Sequence, residues 1–324
     1  MSLAFEATKR STKSKLRRLA YALIALVALW IIIGYIATIP VVGNHSYWRA
    51  LRARPEDFGL KAQEVSFASL DGLHLKGWYI AADGSPRGTV ILSHGINGNR
   101  SDMVPRAAFL VRDHYNALLI DLRDHGESAG TYAGPGYMES LDIIGAVNYL
   151  RERHEQQPIV AMGHSYGAVA SLYAATHTSN IAAVIADSAY LSFEDMVQRA
   201  ATLLAEDPER SVWERFGLRM ARFRGVEWAM MPIYYLRTGV WLNSQRADSL
   251  RAIAGMGPLP VLFISGEQDK ICPPDNARAM YEASVSPQKQ LLIVPGAEHD
   301  STYTTSPKLY ESAVINFLGS LSPN

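Results

Sequence analysis

The chain has 324 residues, with 31 Lys and Arg against 31 Asp and Glu, a formal net charge of zero. Scattered, balanced charge gives no electrostatic basis for a nucleic-acid partner. Cys272 is the only cysteine, which rules out an intramolecular disulfide, and no Cys/His cluster or H-E-x-x-H spacing offers a metal site, so no metal or cofactor is expected.

The N-terminal residues 1–18 carry Lys9, Arg10, Lys13, Lys15, Arg17 and Arg18 against one acid, Glu6, and residues 19–39 are free of charge. At ~1.5 Å per residue that run reaches about 31 Å, enough to cross a hydrocarbon core of ~30 Å. The expectation is a transmembrane signal anchor. Its basic flank should stay cytoplasmic, which places the rest of the chain on the extracytoplasmic side. A cleaved signal peptide is the alternative, but its apolar region is usually about 7–15 residues long, and Ala37-Thr38-Ile39 is a poor cleavage site. Trp30, Tyr35, Tyr47 and Trp48 fit interfacial belts only in part, because Trp30 falls mid-span. Residues 40–61 read as a juxtamembrane segment, and residues 62–324 are ample for one large core with an inserted cap.

Two strand-like runs within residues 65–82 flank Asp71-Gly72, the pattern of a hairpin. Apolar runs then recur at 89–93, 117–122, 159–162, 183–186, 261–264 and 291–294, with helical stretches between them. That alternation predicts an α/β fold whose mostly parallel sheet is covered by helices on both faces. Its functional loops belong at the C-terminal ends of the strands. A closing helix is expected over 308–318, and Asp275 is expected to cap the helix that follows Cys272.

The rhythm breaks between residues 191 and about 250, where a cap insertion is expected. Asp207-Pro208-Glu209 is a helix-start signal, and Trp213, Phe216, Met220 and Phe223 then recur at helical spacing with Arg215, Arg219 and Arg222 between them. Such an amphipathic helix either covers an acyl-chain pocket and touches lipid headgroups or simply packs its aromatic stripe on the domain below.

Chemistry enters after the strand at 159–162, where residues 163–167 read Gly-His-Ser-Tyr-Gly. A serine that presents its oxygen at the top of a sheet sits on a cramped strand-to-helix turn, and glycines on either side admit the close approach. A bare G-x-S-x-G arises by chance in roughly one chain in ten of this length, so the partners decide the matter. Asp269 follows the strand at 261–264, and His299 follows the one at 291–294.

Ser165, Asp269 and His299 in that chain order, each just past a strand, resemble the triad of an α/β-hydrolase-fold serine hydrolase, and the resemblance covers residues 62–324. Residues 89–95 (TVILSHG) resemble the family's third strand and oxyanion loop, and residues 117–128 (ALLIDLRDHGES) resemble its D-x-R-G-x-G-x-S segment. Asp124 stands where that segment usually has glycine, which predicts a different bend there. A narrower resemblance is to single-pass, membrane-anchored hydrolases, including bacterial predicted hydrolases, depalmitoylase-like proteins and the serine aminopeptidase-like branch. It is carried by the N-terminal anchor, the Asp71-Gly72 turn before Leu75-Lys76-Gly77-Trp78-Tyr79, and Asp187-Ser188-Ala189-Tyr190.

The resemblance implies Ser165 as nucleophile, His299 as general base and Asp269 as its orienting acid, with Asp187 the rival acid because some members take theirs from that earlier strand. It further implies an oxyanion hole from the backbone amides of Tyr166 and Ile96. His94, Asn97 and Asn99 are candidates to line the entrance. The expected activity is cleavage of a carboxylic ester or thioester in a small-molecule or lipid-like acyl substrate, with the membrane as the other partner. An aminopeptidase of the same fold and a non-catalytic membrane-tethered binding module are the alternatives. Dehalogenase and epoxide-hydrolase chemistry is disfavoured, since those relatives place aspartate where Ser165 stands.

Overall fold

The computed structural model describes residues 2–38, 50–212, 215, 218, 219, 224–241 and 248–321. The chain divides into two compact units, Met1–Val42 with Leu204–Leu242 and Gly43–Leu203 with Asn243–Asn324.

In the larger unit, β1 (Gln63–Ala68) and β2 (His74–Ile80) pair antiparallel around the expected turn, in which the Ser69 amide donates to Leu73 O at 2.8 Å. Only Val65 and Phe67 are buried along β1, the alternation of a strand with one wet face. The strands β3 (Gly88–Ser93), β4 (Tyr115–Ile120) and β5 (Ile159–His164) are buried throughout, as the continuous apolar runs require of strands covered on both faces. With β6 (Ile181–Asp187), β7 (Val261–Gly266) and β8 (Lys289–Val294) they complete an eight-stranded sheet of order β1-β2-β4-β3-β5-β6-β7-β8. Only the β1–β2 and β2–β4 pairings are antiparallel.

The pleat sends alternate residues to two cores. On one face Ile91, Leu118, Ala161, Val184 and Phe263 pack with α3 (Ser140–Glu152), α4 (Tyr166–Ala175), α7 (Ser249–Met256) and α8 (Pro274–Ala283). On the other, Val90, Leu92, Leu119, Met162, Ile185 and Ile264 pack with α2 (Val104–Arg112) and the closing helix α10 (Pro307–Ser320). A short α9 (Thr302–Thr305) precedes that helix. Asp275 is not the cap of α8: the helix starts at Pro274, and Asp275 lies in its first turn, where a carboxylate still complements the helix dipole.

After β6, α5 (Phe193–Glu206) opens the expected insertion, and the Asp207 carboxylate then accepts from the Glu209 amide at 3.0 Å, an N-cap type bond. The stripe of Trp213, Phe216, Met220 and Phe223, together with Arg222, lies outside the described residues, as do Tyr47 and Trp48.

The smaller unit contains α1 (Ser2–Thr38) and α6 (Arg224–Thr238). Over residues 15–38, α1 is long and apolar enough to cross a membrane, and almost none of it is buried.

Candidate active site

The loop after β5 is a strained elbow. Ser165 takes φ 51° and ψ −110°, a conformation that costs a residue with a side chain roughly 1–3 kcal/mol, and α4 starts at the next residue. The flanking glycines are dictated by contact distance. A Cβ on Gly163 would stand 2.2 Å from the Gly167 carbonyl carbon, and one on Gly167 would stand 2.5 Å from Ser93 O, so strand and helix backbones leave no room for a side chain. The Ser165 amide donates to Asp187 O at 2.7 Å, which ties the elbow to the end of β6.

The turns after β7 and β8 bring two further side chains to the serine. His299 Nε2 lies 2.9 Å from Ser165 Oγ, and His299 Nδ1 lies 2.8 Å from Asp269 Oδ2. With Nδ1–H donated to the carboxylate, Nε2 is left to accept from the serine hydroxyl, the tautomer that this network assigns. The other oxygen, Asp269 Oδ1, accepts from the amides of Ile271 at 2.9 Å and Cys272 at 2.7 Å, fixing the carboxylate's orientation. Cys272 thus contributes its amide here; its thiol is buried, and burial pushes it well above the usual thiol range.

Asp187 is differently employed. It is fully buried, and its Oδ2 accepts from Arg106 Nη2, Thr302 Oγ1 and Tyr310 OH, all at 2.9 Å. Burial opposes its ionised form, but His164 and Arg106 outweigh burial and hold it well below the ordinary carboxylate range. His164 stands beside the serine with Nε2 3.1 Å from Asp300 Oδ1 and Nδ1 3.7 Å from Asp187 Oδ2. Although burial favours neutral imidazole, these carboxylates raise His164 to about 9, and His164 in turn lowers Asp300. Asp187, Arg106, His164 and Asp300 therefore form a charged cluster behind the Ser165–His299–Asp269 chain. Sequence reasoning passed over Arg106 and His164: Arg106 lies on α2 with no spacing that ties it to β6, and His164 is an unspecified position of the pentapeptide.

The hydrolase family described as "Serine aminopeptidase, S33" matches residues 84–220 and 236–304, more than half of the chain and inclusive of Ser165, Asp269 and His299. The chain belongs to this family of α/β-hydrolases. It is 26% identical over 311 residues to protein YfhR of Salmonella typhimurium, covering 91% of this chain and 94% of that one. It is 27% identical over 254 residues to protein bem46 of Schizosaccharomyces pombe, covering 76% and 74% respectively. The Pyrococcus furiosus esterase Pf2001 has the same fold, with a TM-score of 0.69 at 24% identity over 87% of this chain and 98% of that chain.

The turn after β3 passes beside the serine: a Cβ on Gly95 would lie 3.6 Å from Ser165 Cβ, and the Gly98 amide closes the turn on Gly95 O at 3.1 Å. Ile96 is half-buried within that turn. Tyr166 opens α4 directly after Ser165, and first-turn amides of a helix have no intrahelical acceptor. His94 and Asn99 do not line an entrance, because both are fully buried. His94 Nδ1 is 2.7 Å from Gly95 O and Nε2 accepts from the Leu122 amide at 3.1 Å; burial pushes His94 down to about 4, so it is a neutral brace between loops. Asn99 caps the following turn by accepting from the Ser101 amide at 3.0 Å. Asn97 is exposed, at φ 64°. Asp124 takes φ 61°, a left-handed conformation that glycine adopts freely and that aspartate tolerates better than most residues.

Proposed function

We propose that the protein is a membrane-anchored serine hydrolase that cleaves carboxylic ester or thioester bonds of acyl or lipid-like substrates through an acyl-enzyme. The hydrogen-bond chain from Ser165 through His299 to Asp269 carries this reading. Serine is a weak nucleophile at neutral pH and needs a base within hydrogen-bond reach. His299 Nε2 takes the hydroxyl proton as Oγ attacks the acyl carbon, and Asp269 holds the imidazole and stabilises its cation. The intermediate's oxyanion is received by the Tyr166 and Ile96 amides, each worth roughly 3 kcal/mol to the transition state. The tetrahedral intermediate collapses as His299 returns the proton to the leaving alcohol or thiol. Water, activated by the same imidazole, then releases the acid and regenerates Ser165.

The apolar α1 supports an anchor that keeps the basic N-terminus cytoplasmic and the hydrolase unit outside. An aminopeptidase is the second reading, with which the description of the matched family is compatible. Detergent-solubilised protein is expected to turn over p-nitrophenyl esters from acetate to palmitate and a palmitoyl thioester, and His299→Ala is expected to reduce those rates by at least ~10⁴-fold. Turnover confined to aminoacyl p-nitroanilides would instead establish the peptidase, and folded protein inert toward every substrate would make it a binding module.

A further inference from the structure

The smaller unit holds a feature that hydrolysis does not use. We propose that the outward face of α6 is a lipid-docking surface, seated in the interfacial layer of the bilayer that α1 crosses; this rests on the anchor reading above.

The first observation is how closely α6 is fastened to α1. A Cβ on Gly34 would stand 2.3 Å from Ala229 O and 3.0 Å from Ile233 Cγ1, so the two backbones touch at this crossing and only glycine fits. Four residues further along α1, Thr38 Oγ1 accepts from Arg237 Nη1 at 2.5 Å, and the same guanidinium lies 4.8 Å from the centre of the ring of Tyr35, the residue after Gly34. Gly34 and Thr38 are buried, as are Ala229, Ile233 and Tyr234 on α6.

The second observation is where on α1 these contacts fall. They occupy the last described turns of α1, near the end of the expected anchor at residue 39. With the basic N-terminal flank on the cytoplasmic side, this is the level of the outer membrane–water interface. A helix fastened there by direct backbone contact must lie at the same level.

The third is what α6 turns away from α1. Trp228 is 74% exposed and Tyr235, seven residues on and thus on the same helical face, is exposed too, with its neighbour Leu236 77% exposed. Trp241 is also exposed, its ring 5.7 Å from that of Tyr235 in a T-shaped pair. Tryptophan and tyrosine with an adjacent leucine are the composition of an interfacial belt, where ring bodies enter the acyl boundary and their polar edges stay with headgroups. Ile32 and Ile36, two residues either side of Gly34 on α1, are exposed as well. One bilayer therefore covers both helices, and the occupant is the lipid interface itself.

The test uses the full chain with one nitroxide at a time, placed by Trp228→Cys or Leu236→Cys, with Ile32→Cys as the lipid reference and Val285→Cys, a 71% exposed site in the larger unit, as the water reference. Native Cys272 is 1% exposed, and unlabelled-site protein serves as its blank. In vesicles of phosphatidylcholine and phosphatidylglycerol, collision of each nitroxide with apolar oxygen and with a hydrophilic nickel chelate is measured. The oxygen-to-nickel ratio at 228 and 236 is expected to exceed that at 285 several-fold and to approach the value at 32. A ratio equal to that at 285, with 32 still oxygen-rich, would overturn the docking surface while leaving the anchor standing. Protection from both reagents would also overturn it, by showing a second protein chain on this face. Nickel access at 32 itself would overturn the anchor reading and the docking surface together.

Discussion

Asp269→Asn is expected to lower kcat about 10⁴-fold while leaving the melting temperature nearly unchanged, because an amide at this position presents the wrong partner to His299 Nδ1. An asparagine can keep its oxygen on the Ile271 and Cys272 amides, which preserves the turn, but its NH2 then faces His299 Nδ1 and imposes the tautomer whose Nε2 cannot accept from Ser165. Asp187→Asn should behave in the opposite way. Its carboxylate is the counter-charge to buried Arg106, and breaking a buried pair typically costs about 3–5 kcal/mol, so a fall in Tm on the order of 10 °C is expected with activity retained within roughly tenfold. Steady-state kinetics beside thermal denaturation separates the two. A large loss of kcat in Asp187→Asn with near-normal Asp269→Asn would reassign the acid to the earlier strand.

His164 predicts a pH dependence of stability. Its folded value of about 9 lies above the ordinary 6.5, so the folded state binds a proton more tightly than the unfolded chain. The resulting stabilisation is fully present below about pH 6.5 and is lost as pH rises through about 9, amounting to roughly 3 kcal/mol over that window. Denaturant unfolding of the wild type and of His164→Asn, measured from pH 6 to pH 9.5, should show the wild type losing this increment relative to the variant, although both share every other titrating group. Parallel curves would mean that His164 is neutral in the folded protein.

The sheet was legible because its central strands are buried on both faces, and a strand of that kind has to be a short continuous apolar run: residues 89–93 and 159–162 announced β3 and β5 to within about two residues. The constellation of Ser165, Asp269 and His299 was legible for a related reason, since parallel strands deliver their C-terminal turns to one edge and chain order then constrains which residues can meet there. What stayed hidden depends on contacts without local spacing. Arg106, Thr302 and Tyr310 converge on Asp187 from α2, α9 and α10, and nothing in the surrounding residues marks that meeting. His94 was misjudged because a polar side chain in a loop looks exposed until its two ring nitrogens are found bridging Gly95 and Leu122. The positive φ of Asp124 was hidden for a similar reason, because residue type alone does not reveal it.

The central claim is that Ser165 is the nucleophile, and covalent labelling tests it most directly. Solubilised wild-type protein, treated with a fluorophosphonate and digested, is expected to carry the phosphonyl group on the peptide that contains Ser165. Folded Ser165→Ala should remain unlabelled, and His299→Ala should label far more slowly. Equal labelling of wild type and Ser165→Ala, or modification mapped to another residue, would contradict the account.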